Sequence, residues 1–480
     1  MSSNSLVSPA ALALAATALV LLDPILAPMA PDKIWSFLGL DDAPFRITPL
    51  VVATSMALFF LVRRFAWDPV ATYLFALFAA AQANGLRLGP IDVFDVVLLL
   101  GVLVSFAAVV GHQNQPLQLP PVVLAGFLML GFALPHLIVE PPVRFLVGSI
   151  GLLRGVLISL LIVNLLADER RIEIALKALL VVGGISATIA IAQFFASYIF
   201  GVNVTLLDPP ESAFKPTPIG MVMRASGLCI TAQHLSGFLA TALPFAMWRA
   251  THTWRWQDLA LVGLIAVAIV LTWNFSAIIA MAALCAVFPM IRWPTHFIQL
   301  LLLYFLVALV VYLSGLGEWA WAHLILDPGT AKGTSQRATL NLLAIDKLDR
   351  SMWVGTGPQA FAEFSGNFWH RPVHNAYLQA MTELGLLGAL TLIGLVLYLL
   401  AALARASCEG NSQNTLLRPA LLALVVNAAL MMSEPMYDHS NLWLFLGVFQ
   451  ALLLVHMGTI SRRSDRSATL RRGLPEIRSR

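Results

Sequence analysis

The chain has 480 residues, of which 59% are hydrophobic and only 11% charged, and it carries a formal net charge of +4. A mean hydropathy of +0.83 exceeds what a water-soluble core can absorb, so the solvent for most of this chain is a lipid bilayer. That excludes a soluble enzyme, and nothing in the charge pattern asks for a nucleic-acid partner.

Apolar runs of about 16 to 25 residues read as helices, because in lipid only a helix satisfies its own backbone. They predict an all-α polytopic bundle of about 12–14 transmembrane helices, centred near residues 18, 55, 77, 101, 129, 156, 187, 237, 265, 284, 306, 389, 424 and 448. The first run, Leu6 to Met29, lacks a basic leader and contains Asp23-Pro24, so it reads as a retained span. Three organisational units follow: an N-terminal bundle over 1–200, a region over 201–460 that includes a long loop at 316–375, and a basic tail over 461–480. Cys229, Cys285 and Cys408 lie in or beside apolar runs at unrelated spacings and read as packing residues.

Lys and Arg resist translocation in short loops. Arg63-Arg64, Arg170-Arg171, Arg249 with Arg255, Arg292, Arg405 with Arg418, and the tail from Arg462 alternate as cytoplasmic, which puts both termini inside and the long loop outside. The tail reads as a topology signal in a disordered segment, with contact to anionic lipid as the alternative. Arg154, at mid-span, has to face the bundle interior, either bonded to a carbonyl or lining a lipid-phosphate path.

Two outside stretches hold the polar chemistry. The loop from Gly201 ends in Arg224-Ala225-Ser226-Gly227 just before a span, where a guanidinium at a helix start suits phosphate oxygens or simply anchors the interface. In the long loop, Thr334 or Ser335 caps a predicted helix running to Arg350, with Leu340, Leu343, Ala344 and Leu348 on one face. Arg337 then falls in the first turn, where a cation opposes the helix dipole and makes sense if an anion binds. Gly355-Thr356-Gly357 reads as a turn. His374 closes the loop directly before Asn375-Ala376-Tyr377-Leu378 opens the next span, so its imidazole can take a proton at the membrane boundary or serve as an ordinary hydrogen-bonding loop residue. His370 is a weaker competitor, and Glu383 reaches the site only if the following helix is unwound. The aromatics Trp319, Trp321, Trp353, Phe361, Phe364, Phe368 and Trp369 suit either an interfacial belt or the apolar faces of sugars. The sequence lacks a P-loop, a His-Glu-x-x-His and an Asp-x-Asp, which disfavours a nucleotide-sugar synthase.

In order and context these residues resemble the O-antigen ligase and O-antigen polymerase superfamily of bacterial envelope glycosyltransferases. The match comprises Arg224-Ala225-Ser226-Gly227, Arg337 on a loop helix, Gly355-Thr356-Gly357, and His374-Asn375-x-Tyr377-Leu378 followed by Glu383-x-Gly385-x-x-Gly388, over roughly residues 220–400. The chain departs from the family pattern twice: Ser276 is followed by Ala277 where many members carry Arg, and Ala232-Gln233-His234 replaces a frequent Pro-Asn pair. The resemblance implies an inner-membrane enzyme whose periplasmic site takes a glycan from undecaprenyl pyrophosphate and passes it, with inversion, to lipid A-core or to another glycan. It implies that His374 is the base, that Arg224, Arg337, Asn375 and Tyr377 bind substrate, and that no cofactor or metal takes part. A flippase or transporter of lipid-linked glycans is the competing expectation, and a noncatalytic export scaffold is a third.

Overall fold

The computed structural model describes residues 69–83, 87–88, 91–111, 118–139, 142–200, 214–217, 220–315, 328–363, 367, 371–409 and 416–472. The spans expected near residues 18 and 55 lie outside these residues, as do His370, Trp319, Trp321, Phe364, Phe368 and Trp369.

The described chain is helical apart from two small hairpins. Its elements are α1 (Pro69–Gln82), β1 (Arg87–Leu88), β2 (Ile91–Asp92), α2 (Val93–Gly111), α3 (Pro121–Ala133), α4 (His136–Val139), α5 (Pro142–Leu165), α6 (Glu169–Phe200), β3 (Phe214–Thr217), β4 (Gly220–Met223), α7 (Ala232–Thr253), α8 (Trp256–Leu271), α9 (Phe275–Arg292), α10 (Phe297–Leu313), α11 (Pro328–Ser351), α12 (Ala376–Glu409), α13 (Leu417–Met431) and α14 (Ser440–Arg472). Every predicted centre from residue 77 onward falls inside one of these helices. Among the described residues, six stretches are long and apolar enough to cross a membrane: Pro121–Ile138, Gly148–Leu165, Glu169–Ile199, Phe275–Arg292, Ala376–Cys408 and Ser440–Gly458. Five shorter apolar helices accompany them. The architecture is that of a helical membrane bundle.

The position of each helix follows from what its surface carries. α10 is exposed on all sides, with Ile298, Leu302, Phe305 and Tyr312 open, as expected of an apolar helix whose neighbour is lipid. α7 is the reverse, buried along nearly its whole length from Ala232 to Ala250, and it forms the axis around which α6, α8, α9 and α13 gather. α5 and α14 approach closely because Gly155 leaves room for Trp443, whose indole N–H donates to the Tyr437 carbonyl at 2.8 Å.

Several expectations change. The loop from Gly201 to Ala225 contains a hairpin, with Phe214 opposite Met223 and Thr217 opposite Gly220. α14 runs on as helix to Arg472 where a disordered basic tail was expected. Arg154, expected to bond a carbonyl or to line a lipid-phosphate path, has carboxylate partners: its guanidinium pairs with Asp95 on α2 and lies 3.6 Å from Asp92 on β2, since a charge removed from water is held by opposite charge.

The segment 352–357 plugs into a break in α12. Gly385 has φ 76° and ψ −179°, a conformation essentially confined to glycine, and it leaves backbone groups of the interrupted helix without intrahelical partners. The loop supplies them: Thr356 N–H donates to Thr382 O at 2.9 Å, Gly357 N–H to Glu383 O at 2.9 Å, and Leu386 N–H to Met352 O at 2.8 Å. A Cβ on Gly385 would sit 2.1 Å from the Trp353 carbonyl oxygen. Gly385→Ala is therefore expected to destabilise the fold by at least about 1–3 kcal/mol from backbone strain alone, measured as a lower unfolding midpoint in detergent. An unchanged midpoint would show that the break is not held by glycine.

Candidate active site

α11 begins with Pro328, a residue whose missing N–H costs nothing at the first helical position. The helix is therefore longer than the predicted one, and Arg337 sits well inside it. The opposition of Arg337 to the helix dipole disappears as an argument. The predicted apolar face does form: Leu340 and Ala344 are fully buried with Phe361 and Val373, and Leu343 and Leu378 pack against them. This small core seats α11 on the start of α12. It also fixes Arg337, one turn before Leu340, and His374, next to Val373, in the same neighbourhood.

Both side chains meet Glu434, in the turn between α13 and α14. Arg337 Nη2 lies 3.7 Å from Glu434 Oε1, and His374 Nδ1 lies 4.0 Å from Oε2. Glu434 is 5% exposed. Burial raises its carboxyl above the usual range, while Arg337, then Arg224, and a hydrogen bond from Asn274 pull it down. Burial lowers His374 to about 4, reinforced by Arg337 and Arg371. The imidazole is thus neutral at neutral pH, its contact with Glu434 is not an ion pair there, and Nδ1 has no hydrogen-bond partner.

Arg224 acts on the same carboxylate by its charge, from a different helix end than expected. α7 starts only at Ala232, capped by Thr231, whose hydroxyl accepts from His234 N–H at 3.3 Å. Arg224 lies instead at the C-terminus of α8, where its Nε donates to Thr272 O at 2.9 Å, a favourable end of the dipole for a cation. The segment after it is pinned by α6: Gln193 Oε1 accepts from the Ser226 and Gly227 N–H groups, and Ser186 Oγ accepts from Leu228 N–H. Burial lowers Arg224 to about 10, with Glu434 opposing and Arg337 adding to the shift. Two guanidinium groups facing one carboxylate leave excess positive charge where an anion would enter.

Thus Arg224, Arg337 and His374, separated by up to 150 residues in the chain, gather at one carboxylate. Asn375 and Tyr377 are placed differently. Asn375 Oδ1 caps α12 by accepting from the Tyr377 and Leu378 N–H groups at 3.0 Å, and Tyr377 Oη donates to Ala428 O on α13 at 3.3 Å. Their polar atoms build and brace the helix that carries His374, and neither residue lines the cavity beneath it. Glu383 also points elsewhere, accepting from Tyr437 Oη at 2.5 Å and from Gln359 N–H at 2.7 Å. It anchors the turn that carries Glu434. Ala277 is fully buried in α9 and supplies no guanidinium there.

Below His374 lies a cavity of about 210 Å³, whose lining includes Gln233, His234, Asn427, Glu434, His439 and Phe445. His234, which had no role in the sequence, stacks edge-on against His439 with ring centroids 4.5 Å apart. The sequence reading missed Glu434 and His439, yet a signal was present: Ser433-Glu434-Pro435-Met436-Tyr437-Asp438-His439 crowds four titratable side chains into a short turn between two apolar spans, on the same face as the long loop in the charge-alternation scheme.

Chemically, the arrangement offers a neutral imidazole with a free nitrogen, a carboxylate able to stabilise that imidazole once protonated, and forked cations for an oxyanion. No model of a known protein family matches the chain, and no curated protein matches it.

Proposed function

We propose that this protein transfers a glycan from an undecaprenyl pyrophosphate carrier to an acceptor hydroxyl at the periplasmic face of a bacterial inner membrane, as O-antigen ligases and surface-polysaccharide polymerases do. The observation that carries this reading is the meeting of Arg224, Arg337 and His374 around Glu434, from three separate chain segments. His374 Nδ1 takes the proton of the acceptor hydroxyl as its oxygen attacks the anomeric carbon. The bond from that carbon to the phosphate oxygen breaks on the opposite face, so the configuration inverts. The pyrophosphate leaves with the bonding electrons, and Arg337 and Arg224 stabilise the charge that develops on it. Glu434, 4.0 Å from that same nitrogen, stabilises the resulting imidazolium by its charge. The acceptor is lipid A-core in a ligase and another carrier-linked glycan in a polymerase.

Purified full-length protein in liposomes, supplied with lipid-linked glycan and acceptor, is expected to yield a covalent product together with free undecaprenyl pyrophosphate. Movement of intact donor across the bilayer without that product would overturn the transferase reading in favour of a flippase.

A further inference from the structure

The cavity under His374 differs in character from the cationic cluster beside it. Neither Arg224 nor Arg337 lines it. Its polar lining instead includes three acceptor atoms that lack a hydrogen bond, Asn427 Oδ1, Asn441 Oδ1 and His374 Nδ1, beside Glu434, whose Oε1 faces Arg337 at 3.7 Å. Asn427 is 1% exposed, and its amide orientation is determined by its neighbour. The Thr241 hydroxyl already donates to Gly237 O at 2.8 Å, so it accepts from Asn427 Nδ2 at 3.4 Å and leaves Oδ1 over. Buried acceptors without donors are costly in a folded protein. Three around one space call for a ligand that brings several O–H or N–H groups.

The remaining lining narrows the choice. Phe238 and Phe445, with ring centroids 5.5 Å apart, contribute aromatic surface to the same space, suited to the C–H face of a ring. An anion is disfavoured by carbonyl oxygens and a carboxylate. A cation is disfavoured by the same arginines that keep His374 unprotonated. About 210 Å³ is less than the roughly 300–1,000 Å³ of sites for drug-sized ligands, which leaves room for one ring and not for an oligosaccharide.

We infer that this cavity is a subsite for a single neutral, hydroxyl-rich ring of hexopyranose type, bound by Asn427, Asn441 and the two aromatic rings with one hydroxyl directed at His374. Naming that ring the acceptor rests on the transferase reading; the binding itself does not.

Gly237 provides the test. It lines the cavity, and a Cβ there would meet only the end of Met436, at 3.8 Å, so Gly237→Leu extends into the empty space without touching Arg224, Arg337 or His374. Full-length protein in lipid nanodiscs, free of sugar detergents, is probed by saturation-transfer NMR with a panel of methyl hexopyranosides and, separately, for binding of undecaprenyl pyrophosphate. Glycoside binding is expected in the wild type, at least about 10-fold weaker in Gly237→Leu, and about 3- to 10-fold weaker in Asn427→Ala through loss of one buried hydrogen bond. The alanine variant carries the test if the leucine variant fails to fold. Absence of glycoside binding to the wild type, or binding that neither variant weakens, overturns the subsite. If glycosides bind as expected and undecaprenyl pyrophosphate does not, the carrier-dependent reading falls while the subsite stands.

Discussion

His374→Ala is expected to lower glycan transfer by about 10²- to 10⁴-fold, the usual contribution of a general base, at unchanged membrane abundance. The side chain is 13% exposed, and the cap of α12 is Asn375, so removal of the imidazole leaves that helix in place. The pH profile separates a catalytic imidazole from a structural one. A base must be unprotonated, and with His374 lowered to about 4 by burial and by Arg337 and Arg371, the active form is present across neutral pH and lost only as pH falls through about 4. The acid limb of kcat/KM, which reports the free enzyme, is therefore expected near 4 rather than near 6.5, and absent from the residual activity of His374→Ala. Stability follows the same sign. Between pH 6.5 and about 4 the unfolded chain takes up a proton that the folded chain refuses, so this group makes the fold less stable as pH drops through that window. Wild-type transfer rates in His374→Ala would remove the residue from the reaction.

The second large effect is expected at the charge cluster, and it has two signs. Arg337→Lys keeps the charge and removes the planar fork; losing a charge-assisted hydrogen bond of about 1.5–3 kcal/mol corresponds to about a 10- to 100-fold loss of transfer. Glu434→Gln instead removes a carboxylate on which the charges of both Arg337 and Arg224 act. Undecaprenyl pyrophosphate is then expected to bind more tightly while turnover falls, because the imidazolium formed on His374 loses its counter-charge. Binding and rate measured on both variants check the pair. If Arg337→Lys is silent, Arg337 is a bystander; if Glu434→Gln weakens pyrophosphate binding, the carboxylate belongs to the ligand site and not to the base.

The helices were legible because they answer to one local constraint. A chain in lipid has to satisfy its backbone internally, so each apolar run from residue 77 onward predicted a helix at the right place. The docking face of α11 was legible for a related reason: Leu340, Leu343 and Ala344 recur at helical spacing, and it is these residues that bury against Phe361 and Val373. The start of α11 was misplaced because Thr334 and Ser335 imitate a cap, while Pro328 is equally acceptable at a first turn and begins the helix earlier.

The polar residues were legible as a set and not in their roles. Arg224, Arg337 and His374 stood out as outside-facing polar groups, and they do meet. Asn375 and Tyr377 stood out equally, yet one caps α12 and the other ties α12 to α13. Local spacing cannot tell these cases apart, because a hydrogen-bonding side chain goes to whichever partner the packing brings near. The Glu383-Leu384-Gly385 run held a real irregularity, but the break is filled by residues 352–357, and Glu383 turns to Tyr437.

What the sequence by itself determined is the solvent of the chain and the placement of its helices, since hydropathy and periodicity act over a few turns at most. Tertiary structure alone decided that Glu434 sits beside Arg337 and His374, that Arg224 sits at the end of α8 and not at the start of α7, and that three unpartnered acceptors line one cavity. The contacts of Arg224, Arg337 and His374 link groups 48 to 97 residues apart, and only the packing of the helices against one another brings such groups within reach.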